Sequence, residues 1–296
     1  MEQQYTELAL IWDGKAQLGE GPVWDHRAGQ IIWVDINGQS VHLLNPATET
    51  HRTIQLDQKV GAAVPRKQGG LVLAMERGFH LLNLDSEALT PLYDPESHLP
   101  NNRFNDGKCD RAGRFWAGTM AQNESGATGS LYCMDVDGTV RTIEDGCITV
   151  SNGLGWSPDN KTMYYIDSPT RKVVAYAYEA ETGHVSDPRT VITIPEGEGF
   201  PDGMAVDNRG MLWIAQWGGW QVGCYNPLNG EKIGSIPVPV ERTSSCAFGG
   251  EHMDELYITT ASVGVSDEDR EKQPHAGGLF RIKLDVTGAH ANFYGG

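Results

Sequence analysis

The sequence predicts an all-β chain closed into a six-bladed β-propeller, one domain over residues 1–296. Three observations carry this. A strand–turn–strand pattern occurs six times, its turns return every roughly 40 to 50 residues as expected of four-stranded blades, and no stretch sustains helical periodicity.

The first unit opens on Gly19-Glu20-Gly21-Pro22, passes through Val23-Trp24 and a polar turn at 25–29, and returns as Gln30-Ile31-Ile32-Trp33-Val34-Asp35. The second, Ala62-Ala63-Val64 with its return Leu71-Val72-Leu73-Ala74, keeps the pattern without a polar opening. The third opens on Asn105-Asp106-Gly107 and returns as Phe115-Trp116-Ala117-Gly118-Thr119. The fourth opens on Ser151-Asn152-Gly153 and returns as Met163-Tyr164-Tyr165-Ile166, and the fifth opens on Pro201-Asp202-Gly203 and returns as Leu212-Trp213-Ile214-Ala215. The sixth is Cys246-Ala247-Phe248 with Glu255-Leu256-Tyr257-Ile258-Thr259. Outer strands are legible in Ser40-Val41-His42-Leu43-Leu44 and in Val173-Val174-Ala175-Tyr176-Ala177-Tyr178. Asp137-Gly138, Asn208-Arg209-Gly210 and Asn229-Gly230 punctuate hairpins. The polar stretches 122–129 and 195–203 read as loops between strand pairs.

Composition narrows the function. With 23 basic against 39 acidic residues the net charge is −16, and no basic cluster offers a footprint for nucleic acid. The amino terminus carries acids where a signal peptide needs positive charge, and no apolar run is long enough to cross a bilayer, so a cytoplasmic protein without membrane contact is expected. Five cysteines without Cys-x-x-Cys spacing read as reduced strand residues rather than a disulfide framework or a zinc site. Asp135-Val136-Asp137-Gly138 lacks the later ligands of an EF-hand, and no His-Glu-x-x-His, Gly-x-Ser-x-Gly or phosphate-cradling loop is present. The run Asp267-Glu268-Asp269-Arg270-Glu271-Lys272 reads as a solvated loop or one short helix.

Asn-Gly and Asp-Gly pairs are ordinary turn formers, so the significance of the opening motifs lies in their combination. In a propeller the equivalent strand end of every blade faces the central channel, which brings Glu20, Asn152 and Asp202 together on the axis. Two carboxylates there repel unless a cation neutralises them. With an amide oxygen and no His or Cys in the set, a hard ion such as Ca²⁺, Mg²⁺ or Mn²⁺ is favoured. Three protein ligands leave positions open for water or substrate, as in a catalytic site.

The motifs Gly19-Glu20-Gly21-Pro22-Val23-Trp24, Asn101-Asn102-Arg103-Phe104-Asn105-Asp106-Gly107-Lys108, Gly118-Thr119-Met120, Ser151-Asn152-Gly153-Leu154, Tyr164-Tyr165-Ile166-Asp167-Ser168, Phe200-Pro201-Asp202-Gly203-Met204 and Cys246-Ala247-Phe248-Gly249-Gly250 together resemble the SMP-30/gluconolactonase family. The resemblance runs in order over about residues 18–280. It implies a metal-dependent sugar lactonase acting on a small-molecule aldonolactone. It also implies one divalent metal ion at Glu20, Asn152 and Asp202, with Ca²⁺ first and Mn²⁺, Mg²⁺, Zn²⁺ or Fe²⁺ as alternatives. Arg103 and Asn105 fall on substrate-contacting positions, and Asp202 on the acid that activates water. Regucalcin-like members carry a Glu soon after Gly-Thr-Met-Ala, whereas this chain reads Gln122, which is expected to meet the sugar as a neutral hydrogen-bonding group. The stretch Gln216-Trp217-Gly218-Gly219-Trp220 is more similar to bacterial pentonolactone hydrolases, with Trp217 either a rim aromatic or an interblade packing residue. A non-catalytic calcium-binding propeller and a phosphotriesterase-type hydrolase are the alternatives; the polar Arg/Asn/Gln lining favours the sugar.

Overall fold

The computed structural model describes residues 7–296, which form six four-stranded antiparallel sheets. Their innermost strands are Gly19–Asp25, Val60–Pro65, Asn102–Cys109, Ser151–Trp156, Phe200–Val206 and Thr243–Gly249. Each packs against the innermost strand of the next blade, and the first against the sixth, so the ring closes. The expected six blades are all present, and the charged run becomes the short exposed helix Asp267–Lys272, capped by Ser266.

One strand escaped the sequence reading. Ala9–Trp12 pairs antiparallel with Leu279–Lys283 and completes the sixth blade, so the two ends of the chain lock the ring. No local pattern announces a four-residue strand whose partner lies at the other end of the chain.

Inner strands read as continuous apolar runs because neighbouring blades cover both faces. Leu71–Met75 and Phe115–Ala121 are buried at every residue, whereas the outermost strand Thr50–Gln55 exposes all but Ile54. Trp33, Trp116 and Trp213, each on the second strand of its blade, are fully buried. Buried indole N–H groups need acceptors, and turn aspartates supply two of them: Trp116 donates to Asp110 at 2.9 Å and Trp213 to Asp207 at 3.1 Å. Asp110 also accepts from Arg114 at 2.6 Å and from Tyr178 at 2.8 Å, which joins the third blade to the fourth. Cys109, Cys133, Cys224 and Cys246 are buried free thiols and Cys147 is exposed, as the cysteine pattern indicated. Among the described residues no helix is long and apolar enough to cross a membrane.

The closing strand shapes the ionisation of one buried group. His42 lies against Trp12, Trp33 and His51, with ring centroids 5.0, 4.9 and 5.3 Å away. Burial first, and then the charge of His51, push its imidazole down to about 4, with Asp35 acting weakly the other way. An unfolded His titrates near 6.5, so in mild acid the unfolded chain binds a proton that folded His42 refuses. This contribution to stability is therefore full above about pH 6.5 and is lost as the pH falls toward 4, by about 3 kcal/mol at most. Urea unfolding at about pH 7 and about pH 4.5 should show a smaller acid loss for His42→Phe than for wild type; equal losses would contradict it.

Candidate active site on the channel axis

All six innermost strands break register at the same level. Pairing with the second strand slips between Glu20 and Val23, Val60 and Ala62, Phe104 and Gly107, Asn152 and Leu154, Pro201 and Met204, and Thr243 and Ser245. A bulge bends its strand and re-aims a side chain. The glycine-bounded motifs that open the units are thus bulges inside strands rather than turns between them. The glycines that follow Asn152 and Asp202 let neighbouring strands approach: a Cβ on Gly153 would stand 2.7 Å from the Asp202 carbonyl oxygen, and one on Gly203 would collide with the Ser245 side chain; Gly21, after Glu20, takes left-handed backbone at φ 54°.

The result is a cavity of about 230 Å³ whose lining includes Glu20, Arg103, Asn105, Asn152 and Asp202. Leu18, Met120, Val150, Phe200 and Trp217 form its apolar walls, and Glu124 also lines it. Five of the six residues singled out from sequence therefore meet. Trp217 does face this cavity, with the Arg242 guanidinium 5.3 Å from its ring centroid.

Directed hydrogen bonds fix the amides. Arg103 Nη1 donates to Asn105 Oδ1 at 2.7 Å and to the Phe104 carbonyl at 2.9 Å. Asn105 Nδ2 then donates to the Ser151 carbonyl at 2.7 Å and to Asn152 Oδ1 at 3.1 Å. Asn152 Nδ2 donates to Ser168 Oγ at 2.9 Å, and the Ser168 hydroxyl donates to the Pro201 carbonyl at 2.6 Å. With its nitrogen committed to Ser168, Asn152 presents oxygen alone on the other side. Ser168 appears in the sequence beside the fourth unit's second strand, but nothing local marks it as the residue that orients Asn152.

The electrostatics are those of crowded acids. Glu20 and Asp202 are only 4% and 5% exposed. Burial, and then the charge of Asp106, push the Glu20 carboxyl up to about 8, partly offset by the Gly21 N–H bonded to Oε2 at 2.9 Å. Asp202 stands well above the usual carboxylate range, from burial first and then from the charges of Glu20 and Asp106. Asp106, itself buried and shifted up by that burial, belongs to the third unit's opening motif but was not singled out from sequence. Burial pushes Arg103 down to about 10, opposed by Glu124, Glu20 and Glu76, so it remains a cation at neutral pH.

Whether a metal ion suits these residues is answered by one atom. Asp202 Oδ1 is buried with no hydrogen-bond partner among the described residues, an arrangement that costs free energy unless a hydrogen-bond donor or a cation occupies the space in front of it. Glu20 and the oriented oxygen of Asn152 add donors of the same hard kind. Among the described residues no group of three His, Cys, Asp or Glu is placed to hold a metal; the set here reaches three through the Asn152 amide oxygen. The residues present fit a hard divalent cation.

Gln122 is not brought to the cavity wall. Its amide oxygen accepts from Lys59 Nζ at 2.9 Å and its Nε2 donates to Glu76 Oε1 at 3.2 Å, so both ends are engaged by residues of the second blade. The acid that lines the cavity from this loop is Glu124, held in left-handed backbone at φ 56° two residues further on. Gln122→Glu is accordingly expected to leave the kcat/KM ratio between a pentonolactone and a hexonolactone within about twofold. Glu124→Gln should shift that ratio by about fivefold or more, because the hydrogen-bonding demand on the sugar changes by roughly 1 kcal/mol. Side-by-side kinetics of the two variants decide it; the reverse ranking would return Gln122 to the site.

The bulged ring of inner strands is a propeller with oxygen donors converging on its axis, and its family follows from comparison. Residues 18–262 match the family described as the SMP-30/Gluconolactonase/LRE-like region, and the chain belongs to it. YvrE of Bacillus subtilis, named provisionally as a sugar lactone lactonase, is 40% identical over 282 residues, covering 95% of this chain and 96% of its own. Regucalcin of Xenopus laevis is 40% identical over 286 residues, covering 95% of each. The crystal structure of a regucalcin from Agrobacterium tumefaciens, described as calcium-binding, superposes with a TM-score of 0.93 at 27% identity, covering 98% of this chain and 97% of that one.

Proposed function

We propose that this protein is a metal-dependent sugar lactonase that opens an aldonolactone to the aldonic acid. The observation that carries the reading is Asp202 Oδ1, without a hydrogen-bond partner among the described residues, beside buried Glu20 in a cavity whose other polar lining includes Arg103 and two asparagines. Membership of a family whose relatives include a protein named for lactone hydrolysis supports the substrate class. Glu20, Asn152 and Asp202 would hold one divalent ion, with Ca²⁺ as the first choice for an all-oxygen set. When bound, such an ion supplies Lewis-acid stabilisation of the negative charge that ester hydrolysis builds on the carbonyl oxygen.

The chain's own groups do the rest. Water adds to the lactone carbonyl carbon, the ring C–O bond breaks, and the ring oxygen leaves as a hydroxyl. Asp202 would accept the water proton and return it to the departing ring oxygen, general base catalysis of this kind contributing typically about 10² to 10⁴ in rate. Arg103 keeps donors beyond those spent on Asn105 and Phe104, and these orient the sugar oxygens. The apolar walls at Met120, Val150 and Trp217 keep bulk water from the ring.

The test is substrate class. With saturating Ca²⁺ or Mn²⁺, an indicator assay should record aldonolactone hydrolysis well above spontaneous ring opening and no turnover of an aryl phosphotriester. Preference for the phosphotriester, or inertness toward a panel of pentono- and hexonolactones, would defeat the reading.

A further inference from the structure

A second cavity lies further along the same channel. Beyond the bulges the innermost strands continue through Pro22, Val23 and Trp24, through Asp106 to Cys109, through Gly155 and Trp156, and through Ala205 and Val206, and these residues line a space of about 140 Å³. Residues 289–292 of the carboxy-terminal segment contribute the rest of its wall. None of its lining belongs to the cavity that holds Glu20, Asn152 and Asp202.

Its chemistry is opposite in sign to the rest of the molecule. In a protein of net charge −16, Lys108, Arg111 and His290 line this cavity against one carboxylate, Asp106. The Lys108 ammonium has three donors, and among the described residues a single hydrogen bond satisfies one of them, to the Met204 carbonyl at 2.7 Å. Asp106 makes no ion pair with it and instead accepts from the Gly107 N–H at 2.7 Å. Arg111 has no hydrogen-bond or ion-pair partner for its guanidinium among the described residues, although it stands at the same cavity. Lys108 is only partly exposed, and an ammonium drawn partly out of water with donors left over is stabilised when an acceptor reaches it. Trp24, Trp156 and Phe248 supply flat apolar walls.

We propose that this cavity is a second binding site, for a small organic monocarboxylate with an apolar body. The carboxylate would meet Lys108 and Arg111, and the body would lie among Trp24, Trp156 and Phe248. A cavity of about 150 Å³ takes benzene, so the space of about 140 Å³ here suits a single aromatic ring, with the carboxylate carried out toward the exposed Arg111. The inference stands independently of the lactonase reading, because no residue of the other cavity takes part.

Calorimetric titration of the metal-loaded protein with sodium benzoate tests it, with benzyl alcohol as the uncharged probe of similar shape. Benzoate should bind saturably at one site per chain, about tenfold or more tighter than benzyl alcohol, since charge-assisted hydrogen bonds carry the difference. Arg111→Ala, which removes an exposed side chain without packing partners, should weaken benzoate by about tenfold. Ala247→Phe, which fills the cavity from its wall, should abolish binding of both probes, and Asp202→Asn should leave benzoate affinity unchanged. Absence of saturable binding, affinity indifferent to both Arg111→Ala and Ala247→Phe, or binding lost in Asp202→Asn would each overturn the proposal.

Discussion

Asp202→Asn is expected to lower kcat for an aldonolactone by about 10² to 10⁴-fold while the protein still saturates with metal. Asparagine keeps the shape of the side chain and one oxygen, so the ring of donors survives in weakened form. What disappears is the negative charge and the ability to take a proton from water. Turnover should be measured at saturating metal, with metal affinity determined separately by calorimetry. A rate within about tenfold of wild type, only about 1.4 kcal/mol in the barrier, would remove Asp202 from the role of base.

Exhaustive chelation is expected to bring lactone turnover to the spontaneous background and to lower Tm by roughly 5 °C, and metal added back should restore both. The rate effect follows from the acids on the axis. Without a cation, burial and the charge of Asp106 hold Glu20 near 8, and burial with the charges of Glu20 and Asp106 holds Asp202 well above its ordinary range, so at neutral pH the two carboxyls retain protons and no free base faces the substrate. The stability effect is mass action: an ion at about a hundred times its Kd stabilises by about 2.7 kcal/mol, and each kcal/mol moves Tm by roughly 2 to 4 °C in a domain near this size. Full turnover in verified metal-free protein would contradict the account. Add-back of Ca²⁺, Mn²⁺, Mg²⁺, Zn²⁺ and Fe²⁺ in turn gives the preferred ion.

Much of this site was legible because the fold repeats. Once Glu20, Asn152 and Asp202 are seen to open equivalent units, propeller geometry alone carries them to one axis, and the glycines after Asn152 and Asp202 are the residues that close strand approach demands. What could not be read was the mechanism of that convergence. Gly-bounded acids and amides read locally as turns, and only the strand register shows them to be bulges. Gln122 illustrates a second limit, since a loop residue next to a motif can point either way. Here Lys59 and Glu76, distant in sequence, take both ends of its amide, and Glu124 reaches the cavity instead. Ser168 and the closing strand Ala9–Trp12 act through partners that no local pattern reveals.

The central claim is that Glu20, Asn152 and Asp202 hold one divalent cation on the propeller axis, and crystallography of the Ca²⁺-soaked protein at long wavelength tests it most directly. The account predicts an anomalous peak at about 2.3 to 2.6 Å from an oxygen of each of these three side chains, the distance range of Ca²⁺–oxygen bonds. A fully occupied peak elsewhere in the molecule with none at this position, or no peak at saturating Ca²⁺ in protein that hydrolyses lactones, would contradict it.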